Sequence, residues 1–270
     1  MKLFDLRKEL KSEFSQQDID IVDVDFIISE VLGVKRTELI LIDEISKNQE
    51  KEIKEKCNAR LNNVPVDKIF QKAYFYGLEF KVNEDVLTPR PESEMLVETA
   101  IKYIKENNYK TVLDMCTGSG CLAIATKLNA DVNMTAVDVS QKALNIAKQN
   151  AKILKADVKF IRSNMFEKID GIYDLIISNP PYIDTDDIEK LDDEVKNHDP
   201  YIALDGGALG LKYYNIIHDN LRKHLTENGM LILEIGDEQK ELLASLFNDF
   251  TLVESMTDFE GHDRVLVFKR

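Results

Sequence analysis

The chain has 270 residues, 49 acidic against 35 basic side chains and a formal charge of −14. That length supports one large core or two unequal ones, and the acidity argues against a nonspecific nucleic-acid binder while favouring a basic protein partner. Three cysteines, Cys57, Cys116 and Cys121, are too few for a disulfide framework, no apolar run approaches a membrane span, and residues 1–14 do not read as a secretory signal, so a cytoplasmic protein without a membrane partner is expected.

Residues 1–70 read as a small helical domain. Leu3, Leu6, Leu10 and Phe14 recur at helical spacing, as do Val24, Ile27, Ile28, Val31 and Leu32. Ser46 is placed to cap a third helix that carries Glu50 and Glu52 early, runs past Cys57 to Leu61 and is ended by Pro65. Residues 71–88 form a link, in which 73–88 is rich in aromatic and β-branched residues around Gly77 and reads as a β-hairpin. Pro89 and Pro91 then punctuate the chain before a helix over 92–106.

Residues 89–270 read as a second domain in which strands and helices alternate from Lys110. Strands are expected at 111–115, 133–138, 158–162, 173–178, 230–235, 251–255 and 264–268. Helices are expected from Gly120 through Lys127, over 141–154 behind a Ser140 cap, and over 211–225. This alternation implies an α/β fold: a doubly wound, mostly parallel seven-stranded sheet with right-handed crossovers and an antiparallel edge.

Three features of that sheet could carry chemistry. Asp114-x-Cys116-x-Gly118-x-Gly120 follows the first strand and opens a helix, where glycine lets backbone approach a ligand closely. The second strand ends in Asp138, where a carboxylate can accept from ribose hydroxyls; the plainer reading is an N-cap role for Asp138 or Ser140. The glycine spacing is not G-x-G-x-x-G and no G-x-x-x-x-G-K-[ST] loop occurs, which points to a nucleoside without phosphates. The fourth strand runs into Asn179-Pro180-Pro181-Tyr182. Its prolines fix φ and remove two donors, and the first holds Asn179 extended. A stiff loop thus presents an amide, carbonyls with no neighbouring N–H and an aromatic face, a set suited to gripping a planar NH2 group. The plainer reading is a turn; the position after the fourth strand of a nucleoside-binding sheet favours the grip.

The remaining candidates are weaker. His198, His218, His224 and His262 have no H-E-x-x-H or triad-like context and read as surface or helix-face residues. Cys116 and Cys121 lack the further ligands of a zinc site and read as core, so no metal is expected. The acidic stretch 184–199 reads either as a solvated loop or as an attractor for a basic segment of a protein substrate.

The glycine loop, the acidic end of the second strand and Asn179-Pro180-Pro181-Tyr182 together resemble class I S-adenosylmethionine-dependent methyltransferases acting on planar nitrogens. More narrowly, Thr88-Pro89-Arg90-Pro91-Glu92-Ser93-Glu94, Leu233-Glu234-Ile235-Gly236 and Gly261-His262-Asp263-Arg264 are similar to the HemK/PrmC family, which methylates the side-chain N5 of the Gly-Gly-Gln glutamine of peptide chain release factors, a protein of translation termination. The resemblance covers nearly the whole chain. It implies S-adenosyl-L-methionine as cofactor, S-adenosyl-L-homocysteine as product, a release factor as partner and no direct nucleic-acid partner. It implies cofactor contacts from Asp114, Cys116, Thr117, Gly118, Ser119, Gly120, Asp138, Asn164, Met165, Phe166 and Asn179. Catalysis would fall to Asn179, Pro180 and Tyr182, and substrate binding to these with Pro181 and Arg90. The Asn179 side-chain oxygen and the Pro180 carbonyl would accept the two amide hydrogens while Tyr182 packs on the amide plane. The N-terminal helices would recognise another part of the factor, whose Gly-Gly-Gln loop would enter between the domains.

This sequence departs from the family pattern at three places. Cys116 stands where the loop usually has its first glycine, and a small thiol fits there with negative φ. Asn164 replaces an aspartate that accepts from the adenine amino group; its carbonyl oxygen still accepts one bond. Residues 66–71 stray from the linker pattern. Other readings are adenine-N6 methylation of DNA or RNA, glutamine methylation of a ribosomal protein, and a cofactor-binding scaffold without catalysis. The first predicts clustered Lys and Arg in a target-binding domain, where residues 1–70 show mixed charge. The last needs the glycine loop but not the amide grip.

Overall fold

The computed structural model describes residues 1–270 and divides into two units, Met1–Gln71 and Lys72–Arg270. In the first, α1 (Leu3–Gln16) buries Leu3, Leu6, Leu10 and Phe14, and α2 (Val22–Leu32) buries Val24, Ile27 and Ile28, the faces set by helical spacing. A 3₁₀ turn at Arg36–Leu41 leads to α3 (Lys47–Leu61). Its start is a capping box: Gln49 N–H donates to Ser46 Oγ at 3.3 Å and Ser46 N–H donates to Gln49 Oε1 at 2.9 Å. Pro65 does not end this helix. The chain already leaves it at Asn62 and Asn63, the latter at φ 61°, and Pro65 instead introduces a short helix α4 (Val66–Phe70) that periodicity alone did not reveal. These helices enclose one apolar core, and Arg60 pairs with Asp23 at 2.6 Å beside it.

The second unit opens with a hairpin, β1 (Lys72–Phe75) and β2 (Leu78–Lys81), turned at Tyr76 and Gly77. It is shorter than the pattern over 73–88 suggests. After Lys81 the Asn83 side chain captures the Asp85 N–H at 3.0 Å, and Val82 and Val86 turn into a small apolar cluster with Ala143. A 3₁₀ turn at Pro91–Ser93 precedes α5 (Glu94–Asn107). Then follow β3 (Thr111–Met115), α6 (Cys121–Asn129), β4 (Asn133–Asp138), α7 (Gln141–Leu154), β5 (Val158–Arg162) and β6 (Tyr173–Ser178). The acidic stretch is not an open loop: it forms a 3₁₀ turn at Thr185–Lys190 and α8 (Asp193–His198). The chain closes with α9 (Lys212–His224), β7 (Leu225–Glu234), α10 (Lys240–Leu246), β8 (Thr251–Thr257) and β9 (Asp263–Lys269).

The seven-stranded sheet has the order β5-β4-β3-β6-β7-β9-β8. The first five strands are parallel, and β9 runs antiparallel to both β7 and β8. Doubly wound topology, strand count and antiparallel edge are those expected from the sequence. Strands such as Val112–Leu113 and Leu175–Ile177 are apolar on both faces because helices cover both. Val112, Leu175, Ile177 and Ile232 pack with α5 and α6 on one face, and Leu113, Ile176, Leu231 and Leu233 pack with α9 and α10 on the other.

Candidate active site

The chain fills the sheet outward from β3 to β5, then returns to the other side of β3 with β6. That reversal puts a topological switch point between β3 and β6, and the carboxyl ends of five parallel strands share one edge there, the usual ligand crevice of such sheets. Residues 116–120 leave β3, Asp138 ends β4, Asn164 follows β5, Asn179 follows β6 and Glu234 ends β7. A cleft at this edge holds about 680 Å³ of atom-free space, a figure that includes space open to solvent. It is bordered by Cys116, Gly118, Asp138, Asn164, Met165 and Asn179, with Pro181 beside them. Thr117, Ser119 and Arg90 border an adjoining recess that shares Cys116, Gly118 and Asn179.

The glycine loop is held from below and leaves its upper surface free. Thr117 Oγ1 donates to the buried Asp114 Oδ2 at 2.6 Å, and Thr117 N–H donates to the Val137 carbonyl at 2.9 Å. Gly118, at φ 54°, donates its N–H to Asp138 Oδ2 at 2.9 Å, while Ser140 N–H donates to Asp138 Oδ1 at 2.8 Å. Capping of α7 falls to Ser140, whose Oγ accepts from Ala143 N–H at 3.2 Å, so Asp138 is left facing the cleft. Cys116 has φ 64°, not the negative value expected of a thiol-bearing residue; the left-handed backbone is adopted with a Cβ present. Burial pushes its thiol well above the ordinary value, and Sγ lies 3.7 Å from Met165 Sδ.

Five residues expected at the site do not border the cleft or the recess. Asp114 lies beneath the loop as described. Gly120 starts α6 at φ 83°, where a Cβ would meet Ala147 at 3.0 Å. Phe166 is buried and stacks on His224 with centroids 4.8 Å apart. Pro180 is buried, and Tyr182 is half-buried against the core under α9. The Tyr182 backbone is tightly held: its carbonyl accepts from Gln239 Nε2 at 3.0 Å, and a Cβ on Gly210 would come within 1.9 Å of that oxygen. None of the four histidines borders the cleft, and no cluster of His, Cys, Asp or Glu is arranged to hold a metal ion.

The amide ends of two asparagines are already committed. Asn164 Nδ2 donates to Glu167 Oε1 at 2.7 Å, which leaves its Oδ1 for a ligand. Asn179 Nδ2 donates to Ser93 Oγ at 3.1 Å, and Ser93 Oγ donates to Glu234 Oε2 at 2.5 Å. Desolvation pushes the Glu234 carboxyl up to about 7, opposed by the Ser93 hydrogen bond and the nearby Arg264 guanidinium. Arg90 is half-exposed and pairs at 3.0 Å with Asp199, a buried carboxylate that also accepts from Thr88 N–H at 3.3 Å. The acidic stretch therefore ends in a buried carboxylate paired with the half-exposed Arg90.

Ser93, Glu234, Asp199 and Gln239 were not singled out individually from the sequence. Ser93 and Glu234 stand inside motifs that were. Gly206, Gly207 and Gly210 were a visible signal for the loop that packs on Tyr182, because clustered glycines mark close backbone approach.

The methyltransferase small domain family model matches residues 92–196, and the PrmC N-terminal domain model matches residues 5–70. The release factor glutamine methyltransferase of Agrobacterium fabrum is 37% identical over 266 residues, covering 93% of this chain and 90% of that protein. The release factor glutamine methyltransferase of Thermodesulfovibrio yellowstonii is 36% identical over 278 residues, covering 100% of this chain and 99% of that protein. Among solved structures, a methyltransferase from Pyrococcus furiosus superposes with a TM-score of 0.56 at 18% identity, covering 78% of this chain and 98% of its own, a likeness of fold.

Proposed function

The chain belongs to the release factor glutamine methyltransferase family, and on that premise we propose that it methylates the side-chain amide nitrogen of the Gly-Gly-Gln glutamine of peptide chain release factors, using S-adenosylmethionine. The observation that carries this reading is Asn179 at the switch point, its Nδ2 bonded to Ser93 and its oxygen end left to accept from an NH2 group. The cleft fits the cofactor. Asp138 keeps lone pairs for ribose hydroxyls beyond its two backbone bonds, Asn164 keeps Oδ1 for an adenine amino group, and Gly118 has no atoms within 4 Å of where its Cβ would be. Bound there, S-adenosylmethionine supplies an electrophilic methyl carbon on a positively charged sulfur.

A carboxamide nitrogen is a poor nucleophile because its lone pair is delocalised into the carbonyl. Asn179 Oδ1, at the cleft, accepts one of its hydrogens, and Pro180 and Pro181 keep that acceptor rigid; the Pro180 carbonyl and the Tyr182 ring, assigned to the second hydrogen and the amide plane, lie behind the cleft lining. Held so, the nitrogen turns its lone pair toward the cleft and can pyramidalise as the new N–C bond forms. An acceptor dipole facing a nitrogen that becomes positive stabilises the transition state, and positioning supplies the rest. The N–H proton becomes acidic after transfer and leaves without a dedicated strong base. Arg90 would hold substrate from the rim of the recess, its guanidinium set by Asp199. Residues 1–71 would recognise a second part of the factor. The reaction belongs in the cytoplasm with translation, and the acidic total charge supports a protein rather than a nucleic-acid partner; no helix is long and apolar enough to cross a membrane.

The test uses methyl-labelled S-adenosylmethionine with, separately, a release factor, a ribosomal protein mixture and nucleic acid. Label is expected in the release factor and should vanish when its Gly-Gly-Gln glutamine becomes alanine. Label in nucleic acid alone would sink the reading. Asn179→Ala should lower transfer by about 100-fold or more while cofactor binding is largely kept; loss of cofactor binding would remove Asn179 from the role assigned to it.

A further inference from the structure

Resting on that reading, we infer that Ser93 and Glu234 fix which way round the Asn179 amide sits, and so make the site select a carboxamide NH2 over a carboxylate at the reacting position. An asparagine side chain is nearly symmetric in shape, and a half-turn exchanges an acceptor for a donor. With Oδ1 toward the substrate it accepts from an NH2 group; with Nδ2 outward it attracts a carbonyl or carboxylate. Nothing in Asn179 itself chooses between these. The partner at its other end does.

With Glu234 ionised, that partner leaves one placement of the hydrogens. Ser93 has one hydroxyl hydrogen, and it goes to Glu234 Oε2 at 2.5 Å. What Ser93 Oγ offers Asn179 at 3.1 Å is therefore a lone pair, which only Nδ2 can satisfy. A flipped amide would set Oδ1 against that lone pair in a buried position. Glu234 cannot turn away to water: it is 3% exposed, pairs with Val265 in the ladder between β7 and β9, and its carbonyl accepts from Tyr214 Oη at 2.8 Å. The chain of donors thus joins three segments, the 3₁₀ turn before α5, the loop after β6 and the end of β7. A buried carboxylate whose direct bonds are to neutral groups is costly to keep, and the orientation it imposes on Asn179 is a function for it. Asn179 Oδ1, facing the substrate from the cleft, would then repel a carboxylate.

The test compares a release factor with the same factor carrying Gln→Glu in its Gly-Gly-Gln tripeptide, each titrated calorimetrically into the full-length enzyme saturated with S-adenosylhomocysteine. Wild type should bind the glutamine form at least about tenfold more tightly, since a site built for one hydrogen-bonding pattern rejects its inverse. Glu234→Gln can offer its own NH2 to Ser93 and release the Ser93 hydrogen toward Asn179. In that variant the preference should fall about tenfold toward parity, with S-adenosylhomocysteine affinity unchanged. Ser93→Ala should shift the preference in the same direction and carries the test if Glu234→Gln does not fold. A wild-type preference retained in both variants overturns the inference, as does a lost preference accompanied by lost S-adenosylhomocysteine binding, which would mean a collapsed cleft. A wild type that transfers no methyl to the glutamine form overturns the functional reading itself, a separate outcome.

Discussion

Asp114 and Glu234 are buried carboxyls under the site, and desolvation, the largest cause in each case, pushes both up to about 7. Thr117 draws Asp114 back down and Asp138 pushes it further up; Ser93 and Arg264 favour the Glu234 carboxylate and Glu92 opposes it. Starting from ordinary values of 3.8 and 4.5, each group holds a proton in the folded chain over a window where the unfolded chain has lost it. Their stabilisation is therefore fully present below those ordinary values and is lost as pH rises toward about 7, by up to about 1.4 kcal/mol per pH unit per group. Asp114→Asn keeps the acceptor for Thr117 and removes one titration. Urea midpoints taken from pH 5 to pH 7.5 should fall less steeply for Asp114→Asn than for wild type, and parallel slopes would refute the shift. Neither raised carboxyl was legible as such in the sequence, because burial depends on what the sheet packs over it. The cleft-facing position of Asp138 was legible, since a residue ending the second strand of a doubly wound sheet has one place to be. The backbone of Cys116 was not: residue type argued for negative φ, and the turn geometry imposed by Thr117 and Gly118 prevailed.

Between β6 and α9 the chain makes a compact excursion whose glycines Gly206 and Gly210 pack on Tyr182. Gly210 has φ 68°, and a Cβ there would lie 1.9 Å from the Tyr182 carbonyl oxygen and 2.5 Å from Gln239 Nε2. Both atoms belong to the clamp that fixes Tyr182, so neither can give way freely. Gly210→Ala should cost about 2–4 kcal/mol and lower kcat, while S-adenosylhomocysteine affinity stays near wild type because Gly210 does not border the cleft. Thermal unfolding, steady-state kinetics and product titration together check this; an unchanged melting temperature would disprove the clamp. Elements with long clear periodicity, α1, α7 and β3 to β6, were readable to within a residue or two. Those decided by local side-chain capture were not. The hairpin stops where Asn83 takes the backbone, α3 stops at Asn62 before any proline, and the acidic stretch coils because Asp184 caps its own 3₁₀ turn by accepting from Asp186 N–H at 2.9 Å. Charge count left a solvated loop and an attractor for a basic segment equally open there, and Asp199 shows that such a run can end in a buried carboxylate paired with the half-exposed Arg90.

At the scale of the whole chain, each unit has its own apolar core. Leu6, Phe14, Ile27 and Ile53 belong to the first, and the two faces of the seven-stranded sheet belong to the second. The second unit is about 200 residues, a size that sustains an independent fold, and every residue bordering the cleft and the recess lies within it. Most of the chain's net negative charge lies there too. Cofactor binding and recognition of the protein substrate should therefore be separable by truncation. A chain of residues 72–270 should unfold cooperatively and bind S-adenosylhomocysteine with the affinity of the full-length protein. Its methyl transfer to a release factor should be weaker chiefly through a raised KM, with kcat at saturating factor less affected, because the acceptors at Asn179 and Pro180 are intact and only a second contact with the factor is gone. Raising ionic strength should increase KM for both chains, since an acidic surface attracting a basic partner is screened by salt. Calorimetry with S-adenosylhomocysteine and kinetics on the two chains decide the matter. Product affinity weakened by more than about tenfold in residues 72–270 would mean that the first unit helps to form the cofactor site, and an unchanged KM would mean that it does not recognise the factor at all.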